Sequence, residues 1–290
     1  MPDMKEIGIY INCDKKNSIK LGLHCADYLQ NKGIKVVMLS AQLQEVEIPG
    51  VFGYPKDDFF SKPDCIIILG GDGTLLGVAR HASMYGVPLM GINLGKLGFL
   101  TEGEVVDLEP LLNRLCEGKF SLENRMMLQC NVKFENGKTE EHIALNDIVV
   151  KNDGFRMMEI KSYIDDAMVD TFYADGLIVA SPTGSTAYSL AAGGPVVLPG
   201  TRVMLLNPIC PHRLHDRTYV VSEKSVIRLE FNHKAHNLVA FADGQIYIPF
   251  GGRDQIEICV AEQSTKLIRM NDLDFFDRLR RKLSNDVKSF

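Results

Sequence analysis

The sequence predicts an α/β amino-terminal domain with a parallel, Rossmann-like sheet, an all-β second domain, and a carboxy-terminal helix that packs back on the first domain. Strand and helix patterns alternate over roughly the first hundred residues, which is typical of a parallel sheet built from βαβ units. Short strands of period two follow, separated by turn residues, and helical spacing returns in the tail. We therefore expect domains at residues 1–102, 103–263 and 264–290.

The elements of the first domain can be placed one after another. A helix is expected at 17–33, with Ser18 as its N-cap and Gly33 as its stop. A long loop is expected at 44–62 because of its proline and glycine content. The remaining predicted elements are strands at 6–12, 34–40, 65–69 and 87–93 and a helix at 74–85.

The second domain follows a predicted helix at 106–118 and consists of short strands. Hairpins are expected around Asn136-Gly137 and Asp165-Asp166, because such pairs are strong turn signals between alternating strands. In the tail, Leu273, Phe276 and Leu279 recur with helical spacing and predict one apolar face. Further strands are expected at 225–231, 237–244, 245–250 and 254–260.

The bulk composition is that of an ordinary globular chain and excludes several classes of function. With 290 residues and a net charge of −5, the chain has no general attraction to nucleic acid or to anionic membranes. No apolar run approaches the roughly 20 residues that span a bilayer. Residues 1–12 lack the pattern of a signal peptide, so we expect none there.

The cysteines indicate a reducing compartment. There are seven, an odd number, and they are widely spread without a C-x-x-C pair. This pattern favours a cytoplasmic location and argues against disulfides and a zinc site. Cys210, His212 and His215 have a faint ligand spacing, but Pro211 interrupts it and no second ligand cluster exists. We expect no protein-held metal site.

The turn GGDGT, residues 70–74, follows a buried strand and precedes a helix. In an open parallel sheet, ligands bind beyond the carboxyl ends of the strands. A helix start also offers free N–H groups and a positive dipole end to phosphate. The turn lacks both the Lys-Ser/Thr pair of a Walker A loop and the spacing of the dinucleotide fingerprint. It predicts a phosphate cradle formed by Gly70, Gly71, Gly73 and Thr74.

Asp72 lies at the centre of this cradle and admits two interpretations. The plainer one makes it the N-cap of the following helix, a common use of aspartate. The other follows from charge, because a carboxylate beside a phosphate is repulsive unless a metal or a reacting hydroxyl lies between them. Asp72 would then orient a hydroxyl that attacks phosphorus and accept its proton late, with Mg²⁺ balancing the charge.

A second unusual stretch, residues 174–197, carries hydroxyl groups after a buried strand. Helix capping explains one or two of these groups. A polar wall with one aromatic ring, Tyr188, is what a nucleotide base and ribose need. The stretch lacks the second glycine of a G-x-S-x-G elbow, which argues against a hydrolase. The hydroxyl residues are four of the six from 181 to 186, namely Ser181, Thr183, Ser185 and Thr186.

Five segments together resemble the NAD kinase family in identity, order and spacing, and they extend over nearly the whole chain. GGDGT alone also occurs in diacylglycerol kinases and phosphofructokinases, whereas the segment at 175–195 is highly specific. The resemblance implies ATP-dependent phosphorylation of the 2′-hydroxyl on the adenosine ribose of NAD, giving NADP. The segments are GGDGTLL at 70–76, NLGKLGFL at 93–100, LND at 145–147, DGLIVASPTGSTAYSLAAGGP at 175–195 and DGQ at 243–245.

The resemblance also implies roles for single residues. By matching motif, Asp72 would be the catalytic carboxylate and Gly73 its partner at the substrate. Mg²⁺ would accompany ATP, and the chain would form a homodimer or homotetramer in which Asp175 reaches a neighbouring subunit's site. The other NAD-binding residues implied by the motifs are Asn146, Asp147, Arg156, Thr186, Ala187, Tyr188, Ala191 and Gln245.

The chain departs from the family's pattern at two positions, and two other functions stay open. The family usually has Glu at the position of Asp147 and commonly Ser at that of Ala191, which bears on NAD affinity or substrate choice. A lipid kinase could use the same glycine turn, although no apolar entry groove is evident in the sequence. A nucleotide sensor could bind NAD or NADP without chemistry, although the intact Asp72 argues against it.

Overall fold

The structure is a computed structural model that describes residues 4–13, 17–95, 98–154, 157–213, 215–270 and 274–287. The chain forms two compact units, which are described separately. The first comprises residues 1–124 and 265–290, and the second comprises residues 125–264. The domain limits expected from the sequence stay a prediction. Among the described residues, no helix has the length and apolar character that crossing a membrane requires.

The first unit is built on a parallel sheet with helices on its faces, as the alternating pattern predicts. Its strands are β1 (Glu6–Ile11), β2 (Lys35–Leu39), β3 (Phe52–Tyr54), β4 (Cys65–Gly70), β5 (Leu89–Asn93) and β6 (Gly103–Glu104). They pair in the order β3-β2-β1-β4-β5, with β6 against the end of β5. The helices are α1 (Ser18–Asn31), α2 (Ser40–Glu45), α3 (Lys56–Ser61), α4 (Asp72–Ala82) and α5 (Leu108–Cys116).

The two faces of β1 show how this sheet is covered. Ile7, Ile9 and Ile11 are buried in one core cluster with residues of α1. On the alternate face, a Cβ at Gly8 would lie 3.1 Å from the ring of Phe59 on α3. Every residue of β4 is buried, as expected for a central strand of a parallel sheet. The glycine turn therefore starts from a rigid strand end.

Two predictions for this unit are wrong. The segment 44–62 is not one long loop, because it contains β3, α3 and the end of α2. Burial of Phe59 and Phe60 fixes α3 despite the surrounding proline and glycine residues. Ser18 is not an N-cap, because it lies inside α1 and its hydroxyl donates a hydrogen bond to the Asn12 carbonyl at 2.6 Å. Gly33 follows the end of α1 with a φ of 78°, which confirms it as the stop.

The second unit is an antiparallel β structure. One sheet has the order β14-β13-β12-β9-β16-β17, and β11-β10-β15-β18 pair in the other, where β7 pairs with β8 and β18. The strands are β7 (Ser121–Lys133), β8 (Thr139–Ala144), β9 (Asp147–Asn152), β10 (Met158–Ile164), β11 (Ala167–Ala174), β12 (Gly176–Ala180), β13 (Val203–Ile209), β14 (Tyr219–Ser222), β15 (Ile227–Phe231), β16 (Leu238–Ala242), β17 (Ile246–Phe250) and β18 (Gln255–Arg269), with a short helix α6 (Tyr188–Ala191) after β12.

Both predicted hairpins are confirmed. Asp165 and Asp166 join β10 to β11 and have φ values of 50° and 66°, the left-handed pair that a type I′ turn requires. Gly137, between β7 and β8, has a φ of 84°. The turns set the pairing of each hairpin, and the register of the β10–β11 hairpin shifts between Ser162 and Tyr163.

The tail forms a helix, α7 (Phe275–Val287), which belongs to the first unit. The ring centroid of Phe275 lies 6.4 Å from that of Phe99, so the helix packs back on this unit as predicted. The predicted apolar face is wrong at Phe276, which is 51% exposed, whereas Arg278 is buried. Leu273 lies outside the described residues.

Candidate active site

The glycine turn connects β4 to α4 at the carboxyl edge of the first unit's sheet. Gly70 ends β4, and Gly71 precedes the helix with extended backbone. A Cβ at Gly70 would lie 2.5 Å from the hydroxyl oxygen of Thr74, so the turn requires glycine there. That hydroxyl accepts a hydrogen bond from the Asn12 amide at 3.1 Å. A Cβ at Gly73 would meet nothing within 4 Å, so this side of the turn is open.

Asp72 is the first residue of α4, and its carboxylate does not cap that helix. Its Oδ2 accepts a hydrogen bond from the Phe99 N–H at 2.9 Å, and its Oδ1 accepts one from the Leu100 N–H at 3.1 Å. A Cβ at Gly98 would lie 2.0 Å from Oδ1. The N-cap interpretation is therefore wrong, because the carboxylate is held by a segment that lies far along the chain.

A second candidate region lies in the other unit. It is built around residues 145–147, the LND corner, at the start of β9. The Asp243 carboxylate accepts hydrogen bonds from the N–H groups of Leu145, Asn146 and Asp147 at 3.0, 2.7 and 3.3 Å. Asp243 has a φ of 53° in the turn after β16. Its N–H donates in return to the Asp147 carbonyl at 3.0 Å. The corner is thus fixed by a buried carboxylate rather than by an ordinary turn.

The hydroxyl-rich stretch packs directly against this corner. The Ser181 hydroxyl donates to the Leu145 carbonyl at 2.5 Å, and the Ser181 N–H donates to the Asn146 carbonyl at 2.8 Å. A Cβ at Gly184 would lie 2.0 Å from that same Asn146 oxygen. The close approach explains why glycine stands at position 184 and keeps the two segments in register.

The interpretation of the hydroxyl residues as a ligand-facing wall is wrong for at least two of them. Ser181 and Ser185 are fully buried, and Ser185 donates to the Pro182 carbonyl at 2.7 Å while accepting from the Val197 N–H at 3.0 Å. Thr183 is also buried and accepts from Arg125. These groups satisfy backbone and side-chain partners and shape the loop.

A cavity of about 370 Å³ opens beside the corner in the second unit. It brings together four of the predicted NAD-binding residues and two residues of the DGQ segment, and its size suits a small-molecule ligand. Sequence reasoning missed Val149, Lys151 and Phe241. Period two along β9 gives Asp147, Val149 and Lys151 one shared face, and Val149 pairs with Phe241. The lining residues are Asn146, Asp147, Val149, Lys151, Ala187, Tyr188, Phe241, Asp243 and Gly244.

Two titratable groups of this cavity have shifted pKa values. Burial, and then the negative charge of Asp243, raises the pKa of Asp147 to about 7. The pKa of the half-exposed Tyr188 is raised by partial burial and then by the charges of Cys210, Asp175 and Asp147. A carboxyl that titrates near neutral pH can accept or donate a hydrogen bond to a ligand.

The remaining predicted NAD-site residues do not line this cavity. Asp175 is exposed, but its charge acts on Tyr188, so it lies in the same region. Ala191 is exposed at the end of α6, and Gln245 is exposed in the turn between β16 and β17. Thr186 donates to the Thr183 carbonyl at 3.2 Å. Arg156 lies outside the described residues.

The first unit has a cavity of its own, of about 560 Å³, along α4. It lies at the ends of β1, β2 and β3, where ligands of parallel sheets bind. Burial, and then the positive charges of Lys56 and Arg80, lowers the pKa of His81. Three basic groups thus share this space. The lining residues are Tyr10, Leu39, Ser40, Ala41, Tyr54, Pro55, Lys56, Phe60, Gly77, Val78, Arg80 and His81.

Among the described residues, no three or more His, Cys, Asp or Glu side chains come together in a way that could hold a metal ion. All seven cysteines are free.

Comparisons with known proteins agree with this architecture. Residues 56–120 match the ATP-NAD kinase N-terminal domain, and residues 145–270 match the ATP-NAD kinase C-terminal domain. An NAD kinase of Caldanaerobacter subterraneus subsp. tengcongensis is 42% identical over 97% of this chain and 99% of its own length. An NAD kinase of Heliobacterium modesticaldum is 40% identical, with the same shares covered.

Solved structures show the same fold. The chain is similar to an NAD kinase from Archaeoglobus fulgidus in complex with ATP, with a TM-score of 0.74, 27% identity, and 99% of this chain and all of the other covered. It is also similar to a yeast NADH kinase complexed with NADH, with a TM-score of 0.89, covering 100% of this chain and 90% of the other. At 23% identity, the second likeness concerns the fold alone.

Proposed function

This chain belongs to the NAD kinase family, and from that premise we propose that Asp72 orients the attacking hydroxyl of NAD. The chain phosphorylates NAD with ATP to give NADP. The observation that carries the residue assignment is the glycine turn at the end of β4, where Asp72 is held by two backbone N–H groups beside an open side of the turn. Such fixed geometry is what phosphoryl transfer needs from a protein.

Asp72 would act mainly by position. Its carboxylate accepts the hydrogen bond of the ribose 2′-hydroxyl and points the oxygen at the γ-phosphorus. Because the transition state of phosphoryl transfer is loose, the hydroxyl proton leaves late and a weak base suffices. The carboxylate then takes that proton as the new P–O bond forms and the bond to the β-phosphate oxygen breaks.

The phosphates would bind at the first turn of α4. The dipole of α4 favours anions there, Gly73 leaves one side of the turn open, and Gly70, Gly71 and Thr74 complete the proposed phosphate cradle. An Mg²⁺ ion carried by the triphosphate would fit the residues present, because Asp72 offers the turn's carboxylate as an oxygen ligand. When bound, that ion neutralises charge on the transferred group.

The adenosine part of NAD would bind in the second unit's cavity. Asn146 and Asp147 offer polar edges on the fixed corner, and the ring of Tyr188 offers a surface for packing. Lys151 adds a positive charge that suits the pyrophosphate of NAD. Thr186, Ala187, Asp175, Ala191, Gln245 and Arg156 are proposed as further NAD contacts on the strength of the motifs that contain them.

ATP would place its nucleoside part in the first unit's cavity. Gly77 lines that cavity and stands five residues after Asp72, about 7.5 Å along α4. The cavity combines the rings of Tyr10 and Tyr54 with the charges of Lys56 and Arg80. Rings suit a base and cations suit a triphosphate, so the two features fit one nucleotide.

We further propose a homodimer or homotetramer with Asp175 near a neighbouring subunit's site, as the family resemblance implies. A cytoplasmic location is proposed from the seven free cysteines, which suit a reducing compartment. The chain offers no feature that favours nucleic acid as a partner, and its net charge is −5.

The direct test is an assay of the purified chain with ATP, Mg²⁺ and NAD, followed by an NADP-specific dehydrogenase. Formation of NADP supports the proposal. A parallel reaction with ATP and diacylglycerol tests for a lipid kinase. Binding of NAD in the absence of ATP tests for a nucleotide sensor. Phosphorylation of the lipid, or tight NAD binding without turnover, would contradict it.

A further inference from the structure

One peptide group links Asp72 to a buried arginine. The N–H of Leu100 donates to Asp72, and the carbonyl at the other end of that same peptide group belongs to Phe99. This carbonyl accepts a hydrogen bond from the guanidinium of Arg269 at 3.3 Å. Arg269 also donates to the Leu100 carbonyl at 3.2 Å. Arg269 thus holds the carbonyl side of the Phe99–Leu100 segment, whose N–H groups bind the Asp72 carboxylate.

Arg269 is itself fixed by carboxylates of the first unit. Its Nη1 lies 3.0 Å from Glu102 and its Nε lies 2.8 Å from Glu123. The side chain of Glu102 is 2% exposed and also accepts from the Met270 N–H at 2.7 Å. These contacts therefore fix both the position and the orientation of the guanidinium plane.

A second arginine completes the cluster from the tail of the chain. Arg278, on α7, lies 3.0 Å from Glu102 and donates to the Thr101 carbonyl. The hydroxyl of Thr101 accepts from the Gly98 N–H at 3.1 Å. The carbonyls of residues 99, 100 and 101 are thus all taken by two buried guanidinium groups.

Buried charge of this kind does little for stability by itself. Removing charges from water has a penalty that the attraction between the partners only roughly offsets, and an apolar replacement of similar volume is often as stable. What the fork of a guanidinium does provide is geometry, since it fixes two acceptors at once. Hydrogen bonds in series through one peptide group also strengthen one another.

We propose that Arg269 is a positioning residue, which sets the orientation of the Asp72 carboxylate for phosphoryl transfer through the Phe99–Leu100 peptide group. This proposal rests on the role of Asp72 stated above. Arg278 and Glu102 support the same segment from its other end. The tail helix α7 thereby supports the position of the catalytic carboxylate, although it begins 201 residues after the glycine turn.

The test is the Arg269→Lys variant, which keeps the positive charge beside Glu102 but loses the fork that reaches two carbonyls. We expect kcat to fall about tenfold while KM for NAD and for ATP stays within about twofold, because the chemical step is affected more than binding. The matched control is Arg114→Lys. Arg114 also donates to a backbone carbonyl of this unit, but to that of Met270 instead of the Phe99 and Leu100 carbonyls that Arg269 contacts. Its kcat should stay within about twofold.

A double variant separates positioning from general support of the fold. If Arg269 acts through Asp72, then Arg269→Lys should not lower kcat further in the Asp72→Asn background, because both changes remove one effect. Independent effects that multiply would overturn the proposal, as would an Arg269→Lys variant with unchanged kcat. If Asp72→Asn alone keeps full kcat, the proposed role of Asp72 fails instead.

A milder variant guards against a protein that does not fold. Glu123 is 35% exposed, and Glu123→Gln removes one anchor of Arg269 while its ion pair with Glu102 stays in place. We expect a fall in kcat of about threefold, again with little change in either KM. A change in KM alone, or no change in any kinetic constant, would overturn the proposal.

Discussion

Replacing Asp72 by asparagine separates the catalytic role of its carboxylate from its structural role. In the wild type, the two oxygens accept hydrogen bonds from the N–H groups of Phe99 and Leu100 at 2.9 and 3.1 Å. In Asp72→Asn, one oxygen remains and the amide N–H₂ faces the other donor. The loss of one hydrogen bond to a charged group costs about 1–3 kcal/mol.

The expected fall in stability is therefore modest. For a unit of this size, about 1 kcal/mol shifts Tm by roughly 2–4 °C, so Tm should fall by roughly 2–12 °C. The variant should stay folded at 25 °C, because domains typically have about 5–15 kcal/mol of stability. The kinetic effect should be larger, since the hydroxyl loses its charged acceptor. We expect kcat to fall by roughly 10²-fold or more, with little change in NAD binding.

Asp64 provides a matched control for this experiment. Its Oδ2 accepts hydrogen bonds from the N–H groups of Lys5 and Glu6 at 2.7 and 2.9 Å, in the same unit but away from the glycine turn. Because both bonds go to one oxygen, Asp64→Asn can keep both of them, so its Tm should fall no more than that of Asp72→Asn and its kcat should stay unchanged. Steady-state kinetics and thermal unfolding of both variants give the comparison. An Asp72→Asn variant with near-normal kcat would refute the catalytic assignment.

Four further predictions concern the substrates and assembly. Asp147 is protonated below and ionised above its pKa of about 7, and an ionised carboxylate is the better acceptor for ribose hydroxyls, so KM for NAD should fall about tenfold from pH 6 to pH 8. Asp147→Asn should abolish that dependence, and a variant with an unchanged profile would contradict the assignment. Ala191 follows Tyr188 by three residues on α6, so Ala191→Ser should add one hydrogen bond and lower KM for NAD by about 2- to 12-fold with kcat nearly unchanged; an unchanged or higher KM would count against it. Lys56→Met should raise KM for ATP about threefold or more, whereas Lys62→Met, at the surface beside the same helix, should not, and equal values would argue against the ATP cavity. On dilution, activity and oligomer should disappear together, and full specific activity in a fraction shown by light scattering to be monomeric would contradict a shared site.

The sequence predicted the parts of the site that depend on neighbouring residues. The strand at 65–69 and the glycines after it form a local pattern, so the turn and its place at the sheet edge followed directly. The partner of Asp72 did not, because it consists of backbone N–H groups 27 and 28 residues further on. Backbone groups have no signature in a sequence. Only Gly98 marks this contact in the sequence, because a Cβ added at that position would collide with the carboxylate.

Residue type alone also misled where burial decides the role. Ser181 and Ser185 looked like ligand-binding hydroxyls, but tertiary packing turns both toward backbone partners. The segment 44–62 looked like a loop, but burial of two phenylalanines overrides its local preference and produces a helix. Lys151 could have been found from its period-two relation to Asp147 along β9. It was missed because a lysine in a β-strand is common and does not by itself indicate a ligand site.

The measurement that tests the central claim most directly follows the γ-phosphoryl group of ATP by ³¹P NMR in a reaction with NAD, Mg²⁺ and the purified chain. If Asp72 directs the ribose hydroxyl at the γ-phosphorus, a 2′-phosphate monoester signal should grow in equal amount with ADP, and Asp72→Asn should suppress both together. Growth of ADP and inorganic phosphate without the 2′-phosphate, or undiminished growth of the 2′-phosphate in Asp72→Asn, would contradict the account.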